Sequence, residues 1–131
     1  MSLKITTEEK KPGTVVVKLA GRLDTTTSEA CDTKLRALIK GGARSLLLDM
    51  EKLEYISSMG LRVILSARKT LEEGKGRGRV VLVKLQPQIA KVFELVDVLP
   101  KTSIFDSTES ADIFLDAVQN RELNKNQDYV D

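Results

Sequence analysis

The chain has 131 residues and a formal net charge of +2 at pH 7, with 41% hydrophobic and 31% charged residues, the balance of one soluble domain that buries about two-thirds of its unfolded surface. It contains no histidine, no tryptophan and one cysteine, which excludes a Ser-His or Cys-His catalytic pair, an imidazole metal site and an internal disulfide. So small a charge, with no basic run interleaved with aromatics, argues against nucleic acid as a partner, and no apolar run approaches the ~20 residues of a membrane helix.

From Leu3 to Glu9 the residues alternate, Leu3, Ile5 and Thr7 against Lys4, Thr6 and Glu8, as in a half-exposed edge strand. Lys10-Lys11-Pro12-Gly13 reads as a turn, and the β-branched run Thr14 to Ala20 as a second strand pairing back in a hairpin. Gly21-Arg22-Leu23-Asp24 closes that strand, and Thr25-Thr26-Thr27-Ser28 offers several caps for a helix. Cys31, Leu35, Leu38 and Ile39 keep helical spacing, and Gly41-Gly42 stops the helix. Cys31 therefore reads as a small core residue rather than a reactive thiol.

Leu46-Leu47-Leu48 is too apolar to be exposed and suits a strand covered on both faces, followed by a polar loop around Asp49-Met50-Glu51-Lys52. After Tyr55 and Ile56 the period changes: Leu61, Ile64, Leu65, Arg68 and Leu71 fall near one helical face. Ser57 and Ser58 then stand at the mouth of a helix. Either hydroxyl can cap it, and the same place tolerates the negative charge of a phosphate. Gly74-Lys75-Gly76-Arg77-Gly78 reads as a surface turn, because a phosphate loop follows a strand and precedes a helix and this segment does the reverse.

Arg79 to Leu85 is another buried strand, and Pro87 opens a helix with Ile89, Val92, Phe93 and Val96 inward. Val98-Leu99-Pro100 ends it, Ser103-Ile104-Phe105 forms a short last strand, and Ser107 or Thr108 caps a final helix with Glu109 in its first turn. Ala111, Phe114, Leu115 and Val118 give that helix its inner face. The domain is expected over residues 1–119, and residues 120–131, RELNKNQDYVD after Asn120, as a polar frayed tail. Lys4, Arg22, Arg44, Arg77 and Arg79 read as a solvated charged face. The alternation of elements predicts an α/β fold: a mostly parallel sheet of about five strands, about four helices, and the first strand antiparallel at one side. In such a sheet the loop at Gly21 to Thr27 lies beside the loop at Glu54 to Gly60, where ligands or partners gather.

The apolar strand, Asp49, and the run Tyr55-Ile56-Ser57-Ser58-Met59-Gly60-Leu61-Arg62-Val63-Ile64-Leu65 resemble the STAS domain, in particular the bacterial anti-sigma factor antagonists. That family commonly shows Asp-Ser-Ser/Thr-Gly-Leu here, its first serine being phosphorylated by a partner kinase. In this chain Ser57 stands at the acidic position, Ser58 at the phospho-acceptor and Met59 at the small hydroxyl position, so two polar positions depart from the commonest pattern. The likeness runs from about Leu3 to Val118 and implies strands in nearly sequential order with helices mainly on one face.

It further implies a cytoplasmic, non-enzymatic binding module without cofactor or metal, which docks on an anti-sigma factor serine kinase and is released by phosphorylation at Ser58. A serine phosphatase would be a second partner. Asp24, which ends the second strand, matches an acidic position of the contact surface, with Thr25, Thr26, Ser57, Ser58, Met59, Gly60 and Arg62 beside it. Tyr55 and Met59 read either as packing or as the apolar rim of an interface. Two alternatives stand next to this reading. One is a non-switching scaffold subunit of a transporter or stress-signalling complex. The other, a nucleotide-binding or catalytic domain, has no phosphate loop or nucleophile-base pair to support it.

Overall fold

β-Branched and leucine-rich runs separated by amphipathic stretches fold into a layered α/β domain in the computed structural model, which describes residues 2–74, 78–96, 104–105, 108, 110, 111 and 115. The elements are β1 (Leu3–Lys11), β2 (Thr14–Leu23), α1 (Ser28–Lys40), β3 (Ser45–Ile56), α2 (Ser58–Glu73), β4 (Arg79–Val83), α3 (Pro87–Val96) and β5 (Ile104–Phe105). The five strands lie in the order β1-β2-β3-β4-β5, with β1 antiparallel to β2 and the remaining neighbours parallel. This is the sequential arrangement that helical crossovers between parallel strands dictate.

The two faces of the sheet differ. Val15, Val17, Leu46, Leu48, Val80 and Leu82 point into the main core, where Cys31 and Leu35 of α1, Ile64 and Leu71 of α2, and Ile89 and Phe93 of α3 meet them. Ile64 is fully buried, and burying a side chain of that size contributes about 1.5–3 kcal/mol. On the opposite face Val16, Leu47, Val81 and Val83 form a smaller cluster with Ala111 and Leu115. Thr108, Ser110, Ala111 and Leu115 are helical, so the helices lie mainly, but not wholly, on one side.

Several boundaries depart from the expected ones. A register irregularity between Glu9 and Lys11 carries β1 past Glu9 to the Pro12-Gly13 turn, where Gly13 takes φ +83°. β2 runs on through Gly21 to Leu23 instead of closing at Ala20. Gly21, at φ +110°, leaves no room for a Cβ, which would stand 2.3 Å from the Ser2 carbonyl oxygen. The polar loop expected at Asp49 to Lys52 is strand: β3 continues to Ile56 and pairs with β2 as far as Leu23. β4 ends at Val83, where Lys84 turns the chain in a left-handed conformation. Lys75-Gly76-Arg77, Val98-Leu99-Pro100, Ser103, Ser107, Glu109, Phe114, Val118 and the tail 120–131 lie outside the described residues. Among the described residues no helix is long and apolar enough to cross a membrane.

Candidate functional site

The carboxyl ends of β2 and β3 adjoin, Leu23 opposite Ile56, and both strands hand over to helices there. Ser57 takes an extended conformation, φ −91° and ψ 173°, and its N–H donates to the Leu23 carbonyl at 2.9 Å. Its hydroxyl oxygen accepts from the Gly60 N–H at 3.1 Å while its carbonyl accepts from Leu61 N–H at 2.8 Å. The hydroxyl bond satisfies an N–H that would otherwise be orphaned in the first turn of α2, and the carbonyl accepts the first regular bond of the helix. Of the two candidate caps, Ser57 is the one used.

Ser58 is therefore the first helical residue, exposed, and among the described residues none hydrogen-bonds its hydroxyl. The first turn of α2 holds no acidic side chain. Arg62, also exposed, is four residues further on and so on the same helical face as Ser58. The positive end of the helix and Arg62 together leave this corner hospitable to a negative group.

Gly60 was expected on a contact surface, yet it is buried. A Cβ there would fall 2.6 Å from Leu23 Cγ and 2.7 Å from Leu23 O. Its missing side chain is what lets α2 approach the end of β2, and so sets where Ser58 stands.

Across the gap, Asp24 organises the β2–α1 turn. Its Oδ1 accepts from Thr26 N–H at 3.0 Å, Thr26 Oγ1 at 2.8 Å and Thr27 N–H at 3.2 Å. Thr27 Oγ1 donates to the Arg22 carbonyl at 2.9 Å and accepts from Asp24 N–H at 2.9 Å. These bonds, the one from the Thr26 hydroxyl foremost, hold the Asp24 carboxyl below its ordinary pKa. Thr27, the N-terminal flanking residue of α1, does not cap it through its side chain.

Arg22 and Tyr55 enter the same surface, which a reading of isolated charges does not reveal. The β2–β3 register makes them neighbours: the Arg22 guanidinium lies 4.2 Å from the centre of the Tyr55 ring and its Nε 3.8 Å from Asp24 Oδ2. Arg22 is thus half-buried against a partner rather than a free surface charge. Tyr55 and Met59 remain 40% and 42% exposed, the large exposed hydrophobic side chains among the described residues. A groove of about 420 Å³ between α1 and α2, lined by residues that include Thr25, Glu29, Asp32, Met59 and Arg62, continues the surface past Ser58. Thr25, Thr26, Ser58, Met59 and Arg62 are therefore solvent-facing, with Thr25, Met59 and Arg62 lining the one groove, while Asp24 and Ser57 are half-buried and structural and Gly60 is buried. Cys31 is buried in α1, and burial, then the neighbouring Asp32 charge, push its thiol up to about 11, so it stays a thiol.

The STAS domain family matches residues 6–111. BtrV of Bordetella bronchiseptica is 34% identical over 105 residues, covering 80% of this chain and 89% of that protein. An anti-sigma F factor antagonist of Lysinibacillus sphaericus is 31% identical over 97 residues, 73% of this chain and 80% of that one. Among solved structures, the anti-sigma factor antagonist SpoIIAA in its unphosphorylated form superposes with a TM-score of 0.73 at 26% identity, covering 89% of this chain and 97% of the other. The phosphorylated form of Bacillus SpoIIAA superposes with 0.69 at 25% identity, covering 88% and 99%. With that coverage and the strand order, helix placement and serine-bearing helix entrance already described, the chain belongs to the STAS domain family, alongside anti-sigma factor antagonists.

Proposed function

We propose that this protein is an anti-sigma factor antagonist of the cytoplasm that binds an anti-sigma factor with serine kinase activity and is released when Ser58 is phosphorylated. The observation that carries the reading is the division of labour at the α2 entrance: Ser57 does the capping, so the exposed Ser58 hydroxyl has no structural duty to give up. A phosphate on Ser58 adds a charge of about −1.5 to −2. It adjoins the exposed Met59, which lines the groove between α1 and α2, and where a partner must approach closely and shed water, repulsion and desolvation displace it. Arg62 and the helix dipole keep the charge from disrupting the fold itself. The existence of a related fold in both unphosphorylated and phosphorylated forms is consistent with a switch of this kind. A serine phosphatase that restores the hydroxyl completes the cycle.

The test is incubation with the cognate kinase and ATP, followed by partner capture. Wild type is expected to take up one phosphate and Ser58→Ala none. Ser58→Asp should weaken partner binding by ~1.4–2.7 kcal/mol, roughly 10–100-fold, while Ser58→Ala binds as wild type. Equal phosphate uptake by Ser58→Ala would remove the acceptor assignment. Equal binding by Ser58→Asp and Ser58→Ala would turn the reading toward a non-switching scaffold.

A further inference from the structure

On the second face of the sheet, the apolar cluster around Leu47 and Val81 gives way to polar residues toward the carboxyl ends of β2 and β3. The registers set Lys4 opposite Ala20 and Ala20 opposite Lys52 in one row, and Thr6 opposite Lys18 and Lys18 opposite Asp49 in the next. Two residues separate the rows along β2, so they lie on the same face about 6.6 Å apart. Ala20 is the small residue between two lysines. Over it opens a hollow of about 210 Å³, walled by Lys4, Lys18, Asp49, Glu51, Lys52 and Lys84.

The charges in this hollow are unevenly matched. Asp49 is buried; its Oδ1 accepts from the Glu51 N–H at 3.0 Å and its Oδ2 lies 3.8 Å from Lys84 Nζ. Lys84 holds that place with a φ of +57°, uncommon for a residue other than glycine, asparagine or aspartate. Lys4, Lys18 and Lys52 have no carboxylate within ion-pair distance among the described residues, although Lys18 and Asp49 are register neighbours. Four lysines against Asp49 and Glu51 leave a formal charge of +2 in a concave site.

We propose that this hollow binds a small free oxyanion carrying two phosphate groups, of the pyrophosphate class. Lysines at two levels of the sheet suit a ligand with two anionic groups rather than one, and ammonium groups act as point charges toward phosphate. The volume falls below the ~300–1,000 Å³ of pockets for drug-sized molecules, which favours a compact ion. The site faces away from α1 and α2, so it stands independently of the reading of Ser58.

The experiment is titration of the full chain with inorganic pyrophosphate at fixed ionic strength, followed by calorimetry and by backbone amide shifts. One-to-one binding with shifts at positions 4, 18, 20, 52 and 84 is expected. Lys18→Ala and Lys52→Ala should each lose about tenfold in affinity, the scale of one charge-assisted hydrogen bond. Ala20→Leu, which fills the hollow without changing charge, should abolish binding, while Lys69→Ala on the exposed side of α2 and Ser58→Ala leave it unchanged. No saturation up to roughly 10 mM overturns the proposal, that being weaker than any affinity worth a site. So does a loss in Lys69→Ala equal to that in Lys18→Ala, since this marks diffuse attraction, or Lys18-dependent sedimentation with phosphatidylglycerol vesicles in the absence of pyrophosphate binding.

Discussion

The entrances of α1 and α2 occupy neighbouring positions at the carboxyl end of the same sheet, and they use hydroxyls in opposite ways. At α1 the polar groups mostly bond one another: Asp24 receives Thr26 and Thr27, Thr27 reaches back to Arg22, and the Ser28 hydroxyl donates to the Thr25 carbonyl at 3.2 Å. At α2 a single serine, Ser57, does the capping and its neighbour Ser58 is left facing solvent. One entrance is a fixed wall; the other holds a hydroxyl that chemistry can reach without disturbing the fold. A modifiable residue beside a rigid turn gives a partner a constant surface to read and one place where a charge can change the outcome.

Several substitutions would break or sharpen this contrast. The largest expected effect is at Gly60: Gly60→Ala drives a Cβ against Leu23 Cγ and the Leu23 carbonyl, pushes α2 off the end of β2, and should cost about 2–3 kcal/mol in urea unfolding. Thr27→Val comes next. It keeps the shape but removes the bonds to Arg22 O and Asp24 N, for a loss of ~1–2 kcal/mol by the same measurement.

Ser57→Ala should cost about 1 kcal/mol, the worth of an N-cap, with Ser57→Asp restoring it, whereas Ser58→Ala should stay within roughly 0.5 kcal/mol of wild type. If the two serine variants were equally destabilised, the contrast between cap and free hydroxyl would be wrong. The smallest effect is a response to acid. Because the folded-state pKa of Asp24 lies below its ordinary value of 3.8, its hydrogen bonds stabilise the turn above that pH and are lost as pH falls through the lower folded value. Amide shifts of Thr26 and Thr27 should report this loss in acid before the signals of α2 change.

The sequence marked the core well where burial is continuous. Leu46-Leu47-Leu48 and Thr14 to Val17 can be nothing but covered strand, and the spacing of Cys31 and Leu35 or Ile64 and Leu71 leaves one way to seat their helices. It misled where the sheet is irregular. Two register shifts against β2 insert extra residues into β3, so the inward residues after Leu48 become Met50, Leu53 and Ile56 rather than every second position. Strand alternation is thereby erased, and Asp49 to Lys52 read as a loop although they belong to β3, with Asp49 paired to Lys18 and Lys52 to Ala20.

By itself, then, the order of apolar runs determined the layered sheet, the helix entrances and the family likeness, because local periodicity and burial need no distant partner to be recognised. Which of two adjacent serines caps α2, why Gly60 must lack a side chain, that Arg22 lies over Tyr55, and that Lys4, Lys18, Lys52 and Lys84 surround one hollow were decided only by tertiary structure. Each depends on the register between strands distant in sequence or on the approach of α2 to β2. Those geometries are fixed by packing of the whole domain, and no short window of sequence contains them.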